Sequence, residues 1–177
     1  MIQLSKIKTD HKHYSFVEGL LEASFPAEER RNADLQRANT DGNPLFHCCL
    51  VEEDKRPVGL MTYWHFDTFI YIEHFALAQH ERNKGYGEKV LKHITQSVEL
   101  PIILEVEMPD DETSKRRIGF YERCGFVLHT NPYIQPPYRA KDKPLPMYLM
   151  TYGKLDMEKK YQQIKERIYQ EVYHWKE

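Results

Sequence analysis

The chain has 177 residues, 41% of them hydrophobic, and a formal net charge of −2 at pH 7. That length suits one domain with a sizeable core, and the near-neutral charge gives nucleic acid no electrostatic footprint. No apolar run approaches the roughly 18 residues of a membrane span, the start "MIQLSKIKTDHKHYSF" lacks the apolar segment of a signal peptide, and three cysteines, two of them adjacent at Cys48 and Cys49, argue against a disulfide framework, so the reading is a reduced, cytoplasmic protein with neither nucleic acid nor membrane as a partner.

In chain order, "MIQLSKIK" is a candidate strand. Thr9 or Asp10 can cap the helix that follows, whose apolar stripe is Phe16, Val17, Leu20 and Leu21. "SFPAEERRNADLQR" breaks at Pro26 and restarts as a second short helix. "PLFHCCLVEED", "VGLMTYWHF" and "FIYIEHFALAQ" read as three strands. Residues 84–98 are helical, with Tyr86, Val90, Leu91, Ile94 and Val98 on one side. "PIILEVEM" is a strand buried on both faces. "PDDETSKRRIGFYERCG" is a helix that stops at Gly125, and "FVLHT" is a strand. "NPYIQPPYRAKDKPLP" holds five prolines and reads as a loop, and "MYLMTYG" is a last strand. From Asp156 onward, Met157, Tyr161, Ile164, Ile168, Val172 and Trp175 step at three and four residues, an amphipathic helix.

The order β-α-α-β-β-β-α-β-α-β-β-α predicts a mixed sheet with helices on both faces. Within it, "RNKGYG" stands between a strand and a helix. The first N–H groups of a helix lack intrahelical partners and carry the positive end of its dipole. Glycines at 85 and 87 let an anion approach them, and Arg82 and Lys84 add charge. This is a site suited to phosphate, and to two phosphates in a row. Neither G-x-x-x-x-G-K-[ST] nor the three-glycine dinucleotide spacing is present.

Arg82-x-x-Gly85-x-Gly87 resembles the acyl-CoA signature Q/R-x-x-G-x-G/A of the GNAT superfamily of N-acetyltransferases, and "RRIGFYERCGF" resembles that superfamily's later F-Y-x-x-x-G-F motif. Their spacing and the whole element order agree, over roughly residues 2–152. Two departures are Asn83, where many members have glycine, and Ser114, where many have asparagine. The resemblance implies an α/β (α+β) fold with a mixed, mostly antiparallel central sheet: an acetyltransferase domain at residues 1–155, and a C-terminal helical extension at 156–177 packed on that domain or on a partner, a second copy being one such partner.

It also implies acetyl-CoA as cosubstrate and an amine as acceptor, attacking the thioester directly in a ternary complex. Pyrophosphate falls to the backbone of Arg82, Asn83, Lys84, Gly85, Tyr86 and Gly87, and the pantetheine arm to the main chain of Phe75, Ala76 and Leu77, with Ser114 as a further cofactor contact. A primary amine, with a pKa near 10 by analogy with lysine, is mostly ammonium at neutral pH. Glu73, on the strand leading into the loop, is the candidate base, directly or through water, and is otherwise a solvated strand carboxylate. Tyr71 shares its face and His74 points to the other. Tyr121 is the candidate acid for the leaving thiolate, and is otherwise a packing residue. For the acceptor the resemblance points to Glu28, Glu29, Tyr63, Tyr71, Tyr133 and Tyr138. The two glutamates also suit a helix N-terminus, and the two loop tyrosines could simply pin the loop.

Nine histidines do not make a metal site: no H-E-x-x-H or paired C-x-x-C is present, and "HCC" fits a buried strand. The expectation is an enzyme acting on a small-molecule amine. The alternatives are a non-catalytic acyl-CoA sensor and a protein N-acetyltransferase.

Overall fold

Seven strands form one sheet in the order β1-β2-β3-β4-β5-β7-β6. They are β1 (Ile2–Lys6), β2 (Phe46–Glu53), β3 (Arg56–His65), β4 (Ile70–Leu77), β5 (Ile102–Glu107), β6 (Val127–Gln135) and β7 (Leu145–Tyr152). The helices are α1 (Tyr14–Ser24), α2 (Ala33–Gly42), α3 (Tyr86–Ser97), α4 (Glu112–Arg123) and α5 (Met157–Glu171), in the expected order along the chain. The structure is a computed structural model, and it describes residues 1–176.

All neighbouring strands run antiparallel except β4 and β5. These two pair in parallel only from Ile70–Ile102 to Ile72–Leu104, although β4 continues to Leu77 and β5 to Glu107. Beyond Ile72 the strands part, leaving a wedge at the centre of the sheet. One core packs α1 and α5 against one sheet face, through Val17, Leu21, Ile164 and Ile168. The other packs α3 and α4 against the opposite face, through Val90, Leu91, Ile94 and Ile118.

Several local readings change. Thr9 hydrogen-bonds Asp41 rather than capping α1, whose N-cap is His13. Asn32, Asp111 and Asp156 do cap α2, α4 and α5. Strand β6 runs on through Asn131 and Pro132 to Gln135, where a loop was expected. Its pairing is interrupted between His129 and Tyr133, and as the outermost strand it has no further neighbour needing the missing proline N–H. The α5 stripe is covered by the chain's own core, so a second copy is not needed to bury it. Trp175 lies past the helix end and is 37% exposed, whereas Tyr169 and Tyr173, outside the predicted stripe, are buried.

Candidate active site

The wedge opens into a cavity of about 720 Å³. Its walls include Phe75, Ala76 and Leu77 of β4, whose partners on the β3 side are Met61, Leu60 and Gly59 and whose β5 side is unpaired. Unpaired backbone N–H and C=O groups seek partners, so this strand edge can accept an extended amide-bearing chain. Gly59 belongs to the same design: a Cβ there would come within 2.5 Å of the Ala76 carbonyl oxygen.

At one end the cavity meets the loop into α3. Arg82, Asn83, Gly85, Tyr86 and Gly87 all line it. Asn83 (φ 61°) and Gly85 (φ 75°) are both left-handed, a conformation that asparagine tolerates better than most residues, so the departure from glycine at 83 keeps the turn. The two glycines have different reasons. At Gly85 a side chain would meet nothing within 4 Å, so the backbone angle is the constraint. At Gly87 a Cβ would lie 3.0 Å from the Phe120 ring, so close packing of α3 on α4 is the constraint. Lys84 does not line the cavity. It pairs at 3.1 Å with Glu81, a carboxylate only 2% exposed that also binds Arg56 and fastens the loop from beneath. Arg82 braces the strand end, its Nε donating to the Leu77 carbonyl at 3.1 Å.

Tyr121, on α4, lines the cavity from the same face of the sheet as Phe120. Its hydroxyl makes no hydrogen bond among the described residues, and burial pushes its pKa up to about 12. The hydroxyl therefore stays protonated at neutral pH. Ser114 lies elsewhere: its hydroxyl and N–H both bond Asp111 in a capping box. The expectation of a cofactor contact there gives way to a role in starting α4.

The opposite face presents the carboxylates. Pairing slips by one residue between Thr62 and Tyr63, so that Tyr63 faces Ile72, Thr62 faces His74, and Glu73 is left without a partner. Such a bulge re-aims side chains. Glu73 and His74 consequently lie on one face, not on alternate faces as expected, and both meet Tyr138. The Glu73 side chain is fully buried. Its Oε1 accepts from Arg31 Nη2 and from Tyr138 Oη at 2.8 Å, and its Oε2 from Arg31 Nη1 at 3.0 Å and Trp64 Nε1 at 3.0 Å. A carboxylate has about four lone-pair sites, and all are used. Burial alone would raise its pKa, but the Arg31 charge and these bonds hold it below the usual carboxylate range. Glu73 is thus neither a solvated carboxylate nor free to take a proton. His74 Nε2 donates to the Glu29 carbonyl at 2.9 Å and its Nδ1 accepts from Thr62 at 3.3 Å. Burial lowers its pKa and keeps it neutral.

Besides Glu88 in the first turn of α3, two carboxylates on the cavity wall lack a cationic partner among the described residues: Glu29, on the turn before α2, and Glu105 of β5. Burial raises the pKa of each, aided for Glu29 by the nearby Glu107 charge. Glu107 itself pairs with Arg117 at 2.7 Å. Glu28 is exposed and away from the cavity. Tyr63 stacks on His47 at 4.7 Å on the far face, so it does not join the site. Tyr71, Tyr133 and Tyr138 do not line the cavity but form a layer behind it. Tyr133 donates to Glu105, Tyr138 to Glu73, and Tyr71 meets Tyr173 at 3.1 Å. Sequence reading missed Arg31, Trp64, Glu105 and Tyr173. The signal available in the sequence was a pair of acidic residues, Glu105 and Glu107, inside the otherwise apolar run "PIILEVEM".

A parted parallel strand pair, a glycine turn at a helix start and a cavity joining both sheet faces together define the architecture of a GNAT-type acyltransferase. Residues 13–126 match the family described as Acetyltransferase (GNAT) family, and the chain belongs to it. It is similar to a GNAT-family protein of Bacteroides thetaiotaomicron, with a TM-score of 0.96 and 46% identity over 98% of this chain and 99% of that one. YjbC of Bacillus subtilis (strain 168), named as an acetyltransferase, is 27% identical over 105 residues. That match covers 58% of this chain and 52% of YjbC, so it spans about half of that curated relative. Arabidopsis thaliana Naa50, solved with the bisubstrate analogue CoA-Ac-MVNAL, shares the fold with a TM-score of 0.64 and 18% identity over 86% of this chain and 99% of that one.

Proposed function

We propose that this chain transfers the acetyl group of acetyl-CoA to the primary amine of a small molecule. The observation that carries the reading is the wedge itself. The strand edge Phe75–Leu77, free apart from the Leu77 carbonyl that Arg82 holds, suits the amide-bearing pantetheine arm as an added strand, and it leads to α3 N–H groups without a side-chain cap, suited to pyrophosphate. The Naa50 complex, with a CoA-linked analogue on the same fold, supports this placement.

The thioester then lies between Tyr121 on one face and the acidic wall on the other. The neutral amine attacks the carbonyl carbon, the C–N bond forms and the C–S bond breaks. Tyr121, protonated and unbonded, supplies the proton that the departing thiolate takes. Glu29 and Glu105 draw a cationic amine to the opposite wall. Tyr138 enters from the loop at 136–144 and closes the interior behind Glu73 and His74, which favours a compact acceptor over a broad protein surface.

The test is a melting-temperature shift with acetyl-CoA, followed by thiol release with a panel of small amines. A shift plus amine-dependent release is expected. Absence of any shift would remove the cofactor assignment. A shift without release would leave a sensor.

A further inference from the structure

We propose that Glu105 is the group that takes the proton from the acceptor ammonium, an inference that rests on the acetyl-transfer reading. Its carboxylate is fixed from three sides. Tyr133 Oη donates to Oε1 at 2.5 Å, Gln135 Nε2 to Oε2 at 2.6 Å, and Tyr173 Oη to Oε2 at 2.8 Å. Tyr71 bonds Tyr173 in turn at 3.1 Å, so the Tyr173 proton is directed to the carboxylate. Every donor is neutral. Tyr71 adds a third neutral hydroxyl beside the carboxylate, and Glu105 lines the cavity.

The contrast with Glu73 carries the argument. Both are buried carboxylates in one site, on strands that part around it. Glu73 meets an arginine and has every lone pair filled. Glu105 meets only hydroxyls and an amide. Two carboxylates whose surroundings push them apart take different roles. The depressed one is a fixed anion that orders Arg31, Trp64 and Tyr138, and the raised one can exchange a proton. A raised carboxylate is also a closer match to an ammonium donor. The other titratable or charged groups lining the cavity are Glu29, His74, Glu107 with Arg117, Tyr121, Glu73 with its partner Arg31, and, at the α3 end, Arg82, Tyr86 and Glu88. Of the carboxylates among them, Glu107 and Glu73 have cationic partners, and Glu29 belongs to the turn before α2, without the fixed donors that surround Glu105.

The protons balance. R–NH₃⁺ gives one to Glu105, leaving R–NH₂ and a neutral Glu105 carboxyl, which later loses that proton to water. The amine attacks, and the C–S bond breaks. Tyr121 gives its hydroxyl proton to the thiolate and regains one from the nitrogen of the collapsing adduct. The products are the amide, CoA thiol and one released proton.

The test uses the full chain with acetyl-CoA and three probe amines: butylamine, ethanolamine and spermidine. Glu105→Gln keeps the size and is expected to lower kcat/KM by roughly 10²–10⁴-fold, while the acetyl-CoA shift in melting temperature stays. Tyr173→Phe removes one bond to the ionised carboxylate, so it should raise the Glu105 pKa and move the acid limb of the kcat/KM profile to higher pH. That displacement is a readout that a purely structural role would not give. Turnover by Glu105→Gln at the wild-type rate overturns the proposal, as does an acid limb that Tyr173→Phe leaves in place. Wild-type binding of acetyl-CoA without turnover of any probe also overturns it. Loss of acetyl-CoA binding in the wild type would instead overturn the underlying reading.

Discussion

Arg31 and Glu73 lock one another in the interior, guanidinium against carboxylate through both nitrogens, with side chains 5% and 0% exposed. Arg31 also bonds Gln36 at 2.9 Å and lies over Phe46, Trp64 and Tyr138 at 5.3–5.7 Å from each ring centroid. A buried pair of this kind fixes geometry, and removing one partner strands the other charge.

Glu73→Gln should therefore destabilise the fold by roughly 3–5 kcal/mol, measured by urea denaturation near neutral pH. Because the folded pKa of Glu73 is depressed, its contribution is present above the unfolded value of about 4.3 and is lost as pH falls through the lower folded value. The gap between wild type and variant should thus narrow only on strong acidification. A fully stable variant whose activity fails selectively at low pH would return Glu73 to the role of base.

Tyr121→Phe removes a hydroxyl that makes no hydrogen bond among the described residues, so the melting temperature and acetyl-CoA binding should hardly change. Amine-dependent thiol release should fall by roughly 10²–10⁴-fold if this hydroxyl protonates the thiolate. With a pKa of about 12, the tyrosine should produce no loss of activity near neutral pH through its own ionisation. Unchanged kcat, with chemistry shown to be the slow step, would take Tyr121 out of the mechanism.

Much of this fold can be read from local signals: apolar periodicity gives twelve elements in the observed order, and the glycine turn marks the start of α3. What cannot be read is register. The slip beside Tyr63 depends on how β3 meets β4 and leaves no mark in "FIYIEHFAL", yet it decides where Glu73 and His74 point. Arg31 looks like one more surface cation in "EERRN" until tertiary packing buries it. Glu105 acquires its surroundings from β6 and from Tyr173, 68 residues away in sequence. Pro132 suggested a loop because local proline chemistry does not reveal that β6 is an edge strand.

The two loop glycines should fail differently. Gly85→Ala imposes a left-handed angle on a residue with a Cβ, costing about 1–2 kcal/mol, and no neighbouring substitution should relieve it. Gly87→Ala pushes on the Phe120 ring, and Phe120→Leu in the same chain should restore part of the loss. Melting temperatures with and without acetyl-CoA report both. Rescue of Gly85→Ala by Phe120→Leu, and none of Gly87→Ala, would reverse the assignment.

The C-terminal helix should prove integral to the domain. Met157, Ile164, Ile168 and Val172 are buried in the core shared with α1, and Tyr169 donates to the Ile134 carbonyl at 2.5 Å. Truncation after Lys154 would uncover this face of the sheet and remove Tyr173 from Glu105. The expected product is insoluble or lacks a folding transition. A milder change separates packing from assembly. Ile168→Ala should cost about 2–5 kcal/mol of stability, as truncations of buried aliphatic side chains do, while the elution volume of the folded protein stays where it was. Since the helix covers its own domain, weakening it should not convert one oligomer into another. A truncated chain that remained folded and changed only its oligomeric state would instead place the stripe at an interface between copies.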